Sequence, residues 1–184
     1  MPIKSIFMIK KPILGFIVLL TILSACSAVQ SVIRSSFPYT ANLIVPQTTQ
    51  VDTVLSVKSQ ASTLDQIVTG YGSNTKAIKD VRIASVKIEA NTPAGQSLGL
   101  FKSIKVYISR GDSSKELLIA SRNEISTNVG SSILLDADNT ALVDEFIKGS
   151  TVRIRMEYEL RNSIINAISI KSTLALSVAS NKVK

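Results

Sequence analysis

Four short constellations in this 184-residue chain pair side chains in ways that catalysis or metal binding uses. Gly95-Gln96-Ser97-Leu98-Gly99 has the Gly-x-Ser-x-Gly spacing, in which a sharp strand-to-helix turn exposes a nucleophilic serine. Ser73-Asn74-Thr75-Lys76 has the Ser-x-x-Lys spacing, in which a lysine can assist serine acylation. Asp136-Ala137-Asp138-Asn139-Thr140 opens like a calcium loop. Glu157 and Glu159 place two carboxylates on one face of a strand, about 7 Å apart at their Cα atoms, a spacing compatible with glycoside hydrolysis.

Composition removes the partners that these motifs need. The chain has no histidine and no tryptophan. Histidine is the usual general base, the commonest metal ligand and the side chain that titrates near neutral pH. Ser-His-Asp, Cys-His and histidine-based zinc sites are therefore excluded. Ser97 has nothing to activate it, and no alternating strand–helix pattern surrounds it, so it reads as a loop residue. The Lys-Thr-Gly that accompanies Ser-x-x-Lys is absent. An EF-hand needs glycine at the sixth loop position and glutamate at the twelfth, where this chain has Ala141 and Ile147. A looser calcium site from Asp136, Asp138 and Asp144 competes with helix capping, which explains the same acids with less. Glu157 and Glu159 lack aromatic subsites around them. The expectation is a protein that is not an enzyme, with no catalytic residues, metal or cofactor.

The stretch that does carry information is Leu23-Ser24-Ala25-Cys26. It follows the apolar run Ile13–Ile22, itself preceded by Lys4, Lys10 and Lys11. A positive start, a short apolar core and small residues at a cleavage site make a secretory signal peptide. A membrane-spanning helix would need about 20 mostly apolar residues, more than the run after Pro12 supplies. Leu-Ser-Ala-Cys resembles the lipobox of bacterial lipoproteins, and Cys26 is the only cysteine in the chain. The resemblance implies cleavage between Ala25 and Cys26, diacylglycerol on the Cys26 thiol and acylation of the new amino terminus. Two or more acyl chains anchor stably where one holds only reversibly. By the same resemblance, Ser27 rather than aspartate after the lipidated cysteine points to the outer membrane. The resemblance ends near residue 26 and identifies no family for the body of the protein.

Removing residues 1–25 takes away three of the 21 basic residues and none of the 13 acidic ones, leaving a net charge of +5 on 159 residues. That length suffices for one domain with a true core. The basic residues are scattered, and no basic stripe interleaves with aromatic residues as a nucleic-acid surface requires, so no nucleic-acid partner is expected. With Cys26 acylated there is no thiol left for a disulfide, and packing must supply the stability.

Along the mature chain, residues 26–36 read as a serine-rich lipidated tether and residues 37–180 as one domain. Period-two alternation marks strands over Phe37–Val45, Val51–Val57, Val81–Ala90, Ile104–Ser109, Leu117–Ala120, Ser132–Leu135, Thr151–Arg161 and Ile168–Val178. Val81 and Ile83 lie out of phase with Val86 and Ile88, which calls for a bulge or burial on both faces. Ser62-Thr63-Leu64-Asp65 fits a capping box for a short helix ending at Gly70, with a loop over Gly70–Asn74. Asp138-Asn139-Thr140 offers caps for one short helix near 140–148 that Lys148 and Gly149 close. The expected fold is all-β, a two-sheet antiparallel β-sandwich of the immunoglobulin-like type with seven or eight strands. Thr151–Arg161 is the cleanest segment. Val152, Ile154, Met156, Tyr158 and Leu160 alternate with Arg153, Arg155, Glu157, Glu159 and Arg161, whose charged face is the candidate interaction surface. The expected function is structural or protein interaction at a bacterial envelope membrane, held by lipid on Cys26, with a protein partner. A carrier of lipid in a gap lined by Leu174, Leu176, Ile154 and Met156 is the alternative. A hydrolase is the remote third.

Overall fold

The structure is a computed structural model that describes residues 35–62, 79–111, 114–147 and 151–179. The chain divides into two compact units, residues 1–33 and 34–184, and the described residues belong to the second. The lipobox, the helix expected over 62–70, the loop over 70–74 and the Ser73–Lys76 motif lie outside the described residues, apart from Ser62 itself.

Eight strands carry the fold: β1 (Ser35–Val45), β2 (Val54–Lys58), β3 (Lys79–Thr92), β4 (Phe101–Arg110), β5 (Glu116–Arg122), β6 (Ser132–Ala137), β7 (Val152–Leu160) and β8 (Ile168–Ala179). They form one sheet in the order β1-β8-β3-β6-β5-β4-β7-β2, and every ladder is antiparallel. The first strand pairs with the last, the second with the seventh, the third with the sixth and the fourth with the fifth. This is a single long hairpin, folded back at the β4–β5 turn and then rolled so that β3 also meets β8 and β4 meets β7. A rolled hairpin of eight strands is a jelly roll. β5 and β6 join its two four-stranded halves through only two residue pairs, Ala120↔Ala137 and Ser121↔Asp136. At the opposite margin Tyr39 of β1 reaches the segment after β2, with its hydroxyl 2.5 Å from Ser62 Oγ and 3.4 Å from the Val152 carbonyl. The sheet is thereby nearly closed into a barrel.

The immunoglobulin-like arrangement expected from the strand count is not what forms. In that arrangement the first strand pairs with the second, and the strands divide between two sheets. Here β1 takes β8 along its whole length, from Ser35↔Val178 to Val45↔Ile168. Strand number and alternation are local properties, whereas the choice of partner is made by segments more than a hundred residues apart.

One continuous apolar cluster fills the barrel, with contributions from all strands except β2, whose Leu55 and Val57 pack against it half-buried. β7 follows the expected alternation, with Val152, Ile154, Met156, Tyr158 and Leu160 all buried. β3 resolves its phase conflict by the bulge: the register slips between Ile83 and Ser85, so Val81, Ile83, Val86 and Ile88 all point inward. Phe101 and Tyr158 meet edge to face, centroids 5.5 Å apart.

Helix is scarce. The helix expected near 140–148 is a single turn, α1 (Asp144–Ile147). Its start is delayed because β3 captures the residues before it. Leu142 bridges Arg82, the Val143 N–H donates to the Val81 carbonyl at 2.9 Å, and Asp144 Oδ2 accepts from the Val81 N–H at 3.1 Å. A short 3-10 turn (Leu98–Leu100) precedes β4, and Gly99 is obligatory there, since a Cβ would lie 2.2 Å from the Thr127 carbonyl oxygen.

Because every pairing is antiparallel, the odd strands run one way and the even strands the other. Both ends of the domain and the β2–β3, β4–β5 and β6–β7 connections lie at one end of the barrel. The β1–β2, β3–β4, β5–β6 and β7–β8 connections lie at the other.

Candidate interaction face

The outer surface of the β2–β7–β4–β5 half is built by the alternation of β7. With its apolar residues turned inward, Arg153, Arg155, Glu157 and Glu159 must project outward. Register then assigns their neighbours. Arg155 lies between Lys58 of β2 and Tyr107 of β4, Glu157 between Ser56 and Lys105, and Glu159 between Val54 and Ser103. Four of the five residues singled out from sequence thus share one sheet face, and Arg161 follows one residue beyond the strand end.

Arg155 is the hub of this face. Its side chain is 15% exposed; Nε sits 2.7 Å from Glu116 Oε2 and one terminal nitrogen 3.0 Å from Glu157 Oε2. Its guanidinium lies over the Tyr107 ring, 4.0 Å from the centroid. Lys58 Nζ stands 3.6 Å from Glu116 Oε1, and Lys105 Nζ 3.6 Å from Glu157 Oε1. Burial works against the Arg155 charge, but the hydrogen bonds it donates to Glu157 and Glu116 outweigh it and hold its pKa above the ordinary arginine value. The result is a lattice of fixed charges that spans all four strands.

Towards the end of the barrel away from Ser35 and Ala179, this face opens into a depression of about 440 Å³. Two local departures from regular structure border the space. The β4–β7 register slips between Phe101 and Ser103, and Glu124, just past β5, takes a left-handed backbone with φ of 54°. The walls come from Val54, Lys102, Ser103, Lys105, Asn123, Glu124, Glu157, Tyr158, Glu159 and Arg161. Lys102 pairs with Asp52, and the Arg161 guanidinium donates to the Ile125 carbonyl. Glu159 and Glu124 make no hydrogen bond or ion pair among the described residues. Val54 is 64% exposed.

The remaining sequence motifs have structural roles. Ser97 Oγ accepts from the Gly99 N–H at 3.1 Å and donates to the Val129 carbonyl at 2.6 Å, which locks the 3-10 turn to the β5–β6 connection. Asp138 Oδ1 accepts from the Thr140 hydroxyl at 2.6 Å and from the Thr140 and Ala141 N–H groups at 3.0 and 3.2 Å, which pulls its pKa below the usual carboxylate value. Asp136 faces Arg122, and Asp144 serves β3. Among the described residues, no three acidic, histidine or cysteine side chains converge as a metal site would require. Ala25 and Cys26 lie outside the described residues. Sequence reasoning missed Glu116, Tyr107, Lys58 and Lys105 as partners of the β7 charges. The outward phases of β2, β4 and β5 put them on a sheet surface, but their pairing needs the strand order.

No family model matches the chain, and no curated protein matches it. Among solved structures it is similar to the empty head of turnip yellow mosaic virus, at 9% identity over 82% of this chain and 84% of that chain, with a TM-score of 0.28. It is also similar to desmodium yellow mottle tymovirus, at 11% identity over 82% of this chain and 90% of that chain, with a TM-score of 0.29. Likenesses at these TM-scores carry no argument about function. No helix among the described residues is long and apolar enough to cross a membrane.

Proposed function

We propose that this protein is a lipid-anchored lipoprotein of a bacterial envelope whose barrel is a non-catalytic structural or protein-interaction module. The observation that carries the reading is Leu23-Ser24-Ala25-Cys26 after a positive start and a short apolar run, with the chain's single cysteine at the lipidation position. Ser27 supports the outer membrane as its location. The interaction role is supported by the character of the domain. Its buried apolar residues belong to one continuous core, and the outer face of β2, β7, β4 and β5 carries a lattice of ion pairs. Leu174, Leu176, Ile154 and Met156, the residues that a lipid carrier would turn toward its cargo, are all buried within that core. This favours interaction over carriage.

The test is membrane fractionation of the native protein beside Cys26→Ser, with protease accessibility on intact and permeabilised cells. The native protein is expected in the membrane fraction and Cys26→Ser in the soluble one. Retention of Cys26→Ser in the membrane would overturn the anchor. Cleavage on intact cells would place the domain at the surface, and cleavage only after permeabilisation would place it in the periplasm.

A further inference from the structure

We propose that the end of the barrel opposite Ser35 and Ala179 is a self-association surface whose occupant is the same end of a second copy of this chain. The four connections that build this end are poor in charge where the rest of the chain is not. Asp, Glu, Lys and Arg make up 18% of the sequence, yet none occurs in residues 43–51, 90–101, 125–135 or 162–170. The charges that these connections do carry, Asp52, Glu124 and Arg161, sit within two residues of a strand end. Connections at the other end of the barrel carry Lys115, Asp138 and Glu145 along their length. Aliphatic side chains stand open within the uncharged runs: Ile165 is 76% exposed, Ile44 at the rim is 66% exposed, and Val51 is exposed as well.

The chemistry of this surface selects its partner. A charged protein finds no counter-charge in these runs. An anionic lipid surface is met by lysine and arginine, with tryptophan and tyrosine at its boundary, and the single aromatic residue here, Phe101, is fully buried. What the runs present is amide and hydroxyl groups around aliphatic anchors, with Gln47, Gln50, Asn128 and Asn166 all exposed. Each amide carries both donors and an acceptor, so such a surface is complementary to itself, as a row of carboxylates or ammonium groups is not. A mature chain of net charge +5 repels its copy, and contact through uncharged surface keeps that repulsion smallest. A face that meets itself about a two-fold axis closes the assembly at a dimer. The surface is also held in shape before contact, which lowers the entropy lost on association. Thr48 and Ile164 exchange backbone hydrogen bonds at 3.0 and 2.8 Å, the Arg161 N–H donates to the Leu100 carbonyl at 2.9 Å, and the Leu98 N–H donates to the Gly130 carbonyl at 2.9 Å. All four connections are thereby tied into one unit.

A dimer of this kind rests on the interaction-module reading, but it is measured without the anchor, so the two can fail separately. The test is sedimentation velocity of the full-length chain in detergent micelles as its concentration is raised. The native chain is expected to pass from monomer to dimer. Salt at about 0.5 M should not weaken the dimer, because no charge pair holds it. Each residue of a two-fold interface occurs twice, so Ile165→Asp alters two contacts and is expected to weaken dimerisation about a hundredfold. A mixed pair of native and Ile165→Asp chains carries one altered contact and should be weakened about tenfold. Leu142→Asp, an exposed position at the other end of the barrel, should leave the dimer as it is. Ile165 is largely exposed, so its variant is expected to keep the native urea midpoint, and Ile44→Asp provides a second variant from another element. A monomer at every concentration, a dimer that salt dissolves, or one that Ile165→Asp and Ile44→Asp leave intact, as contact through the apolar residues 13–22 would, overturns the proposal. A mixed pair as tight as the native dimer also overturns it, since the uncharged end would then meet a different surface of the second copy.

Discussion

The two halves of the barrel turn the same kind of surface inward and opposite kinds outward. Outside β1, β8 and β3, register sets Thr40 beside Thr173, Asn42 beside Lys171, and Ser85 beside Ala175. Many side chains there are short, and the ion pair of Lys87 with Glu89 at 2.7 Å joins two residues of the same strand, with Lys171 of β8 beside Glu89 in register. Outside β2, β7, β4 and β5, the Arg155 lattice joins residues of different strands. The strands at the two margins also differ in ladder length. β1 is held to β8 by eleven register pairs, so its outer side chains have little left to do. β2 has five pairs with β7, and Lys58 adds a charged tie through Glu116 to β5. Beside β2, long charged side chains supplement a short backbone ladder.

The comparison yields measurable contrasts. Inward-facing residues should not distinguish the halves: Ile154→Ala and Leu174→Ala are each expected to cost about 2–5 kcal/mol in urea unfolding. A core that tolerated one of them at under about 1 kcal/mol would show that half to be loosely packed. Outward-facing residues should distinguish them sharply. Arg155→Ala strips two carboxylates and a tyrosine ring of their shared partner and is expected to cost about 2 kcal/mol, against about 0.5 kcal/mol or less for Thr173→Ala. Equal losses would mean that the lattice contributes nothing beyond the ladder. The smallest effect is alkaline. Burial raises the pKa of Tyr39 in one half and Tyr158 in the other, with the Ser62 hydrogen bond partly offsetting the shift at Tyr39. A phenol whose folded pKa is raised stays protonated longer in the folded state, so stability is intact below about pH 10 and falls as pH rises beyond it. Tyr39→Phe should make that fall shallower and cost about 1 kcal/mol at neutral pH for the lost hydrogen bond. An unchanged alkaline slope would mean that Tyr39 titrates normally in the fold.

Alternation made the strands legible, because inward and outward faces differ in polarity residue by residue. Thr151–Arg161 and the hairpin across Gly111 are visible this way, and even the β3 bulge shows in the phase change at Ala84. Partner choice is not visible, since each strand presents the same apolar face to any neighbour. The charged face of β7 was legible as a face but not as a lattice, because Glu116, Lys58 and Lys105 arrive from three other strands. The depression was hidden for a similar reason. It arises where a slip in β4 meets a bend at Glu124, and neither carries a composition signal. The single-turn helix at Asp144 was overestimated because the capping residues before it were read without β3, which claims Leu142, Val143 and Asp144.

The pairing of the first strand with the last has a mechanical consequence for a tethered domain. Ser35, where the chain enters the barrel, lies opposite Val178, and β1 runs from there to the far end. A load applied at the far end and resisted at Ser35 pulls β1 lengthwise past β8. That geometry is shear, in which the hydrogen bonds of the ladder share the force and must break together. Pulling the two chain ends apart would instead peel the same ladder one bond at a time, like a zipper. A barrel held at Ser35 resists tension from its far end far better than tension between Ser35 and Val178.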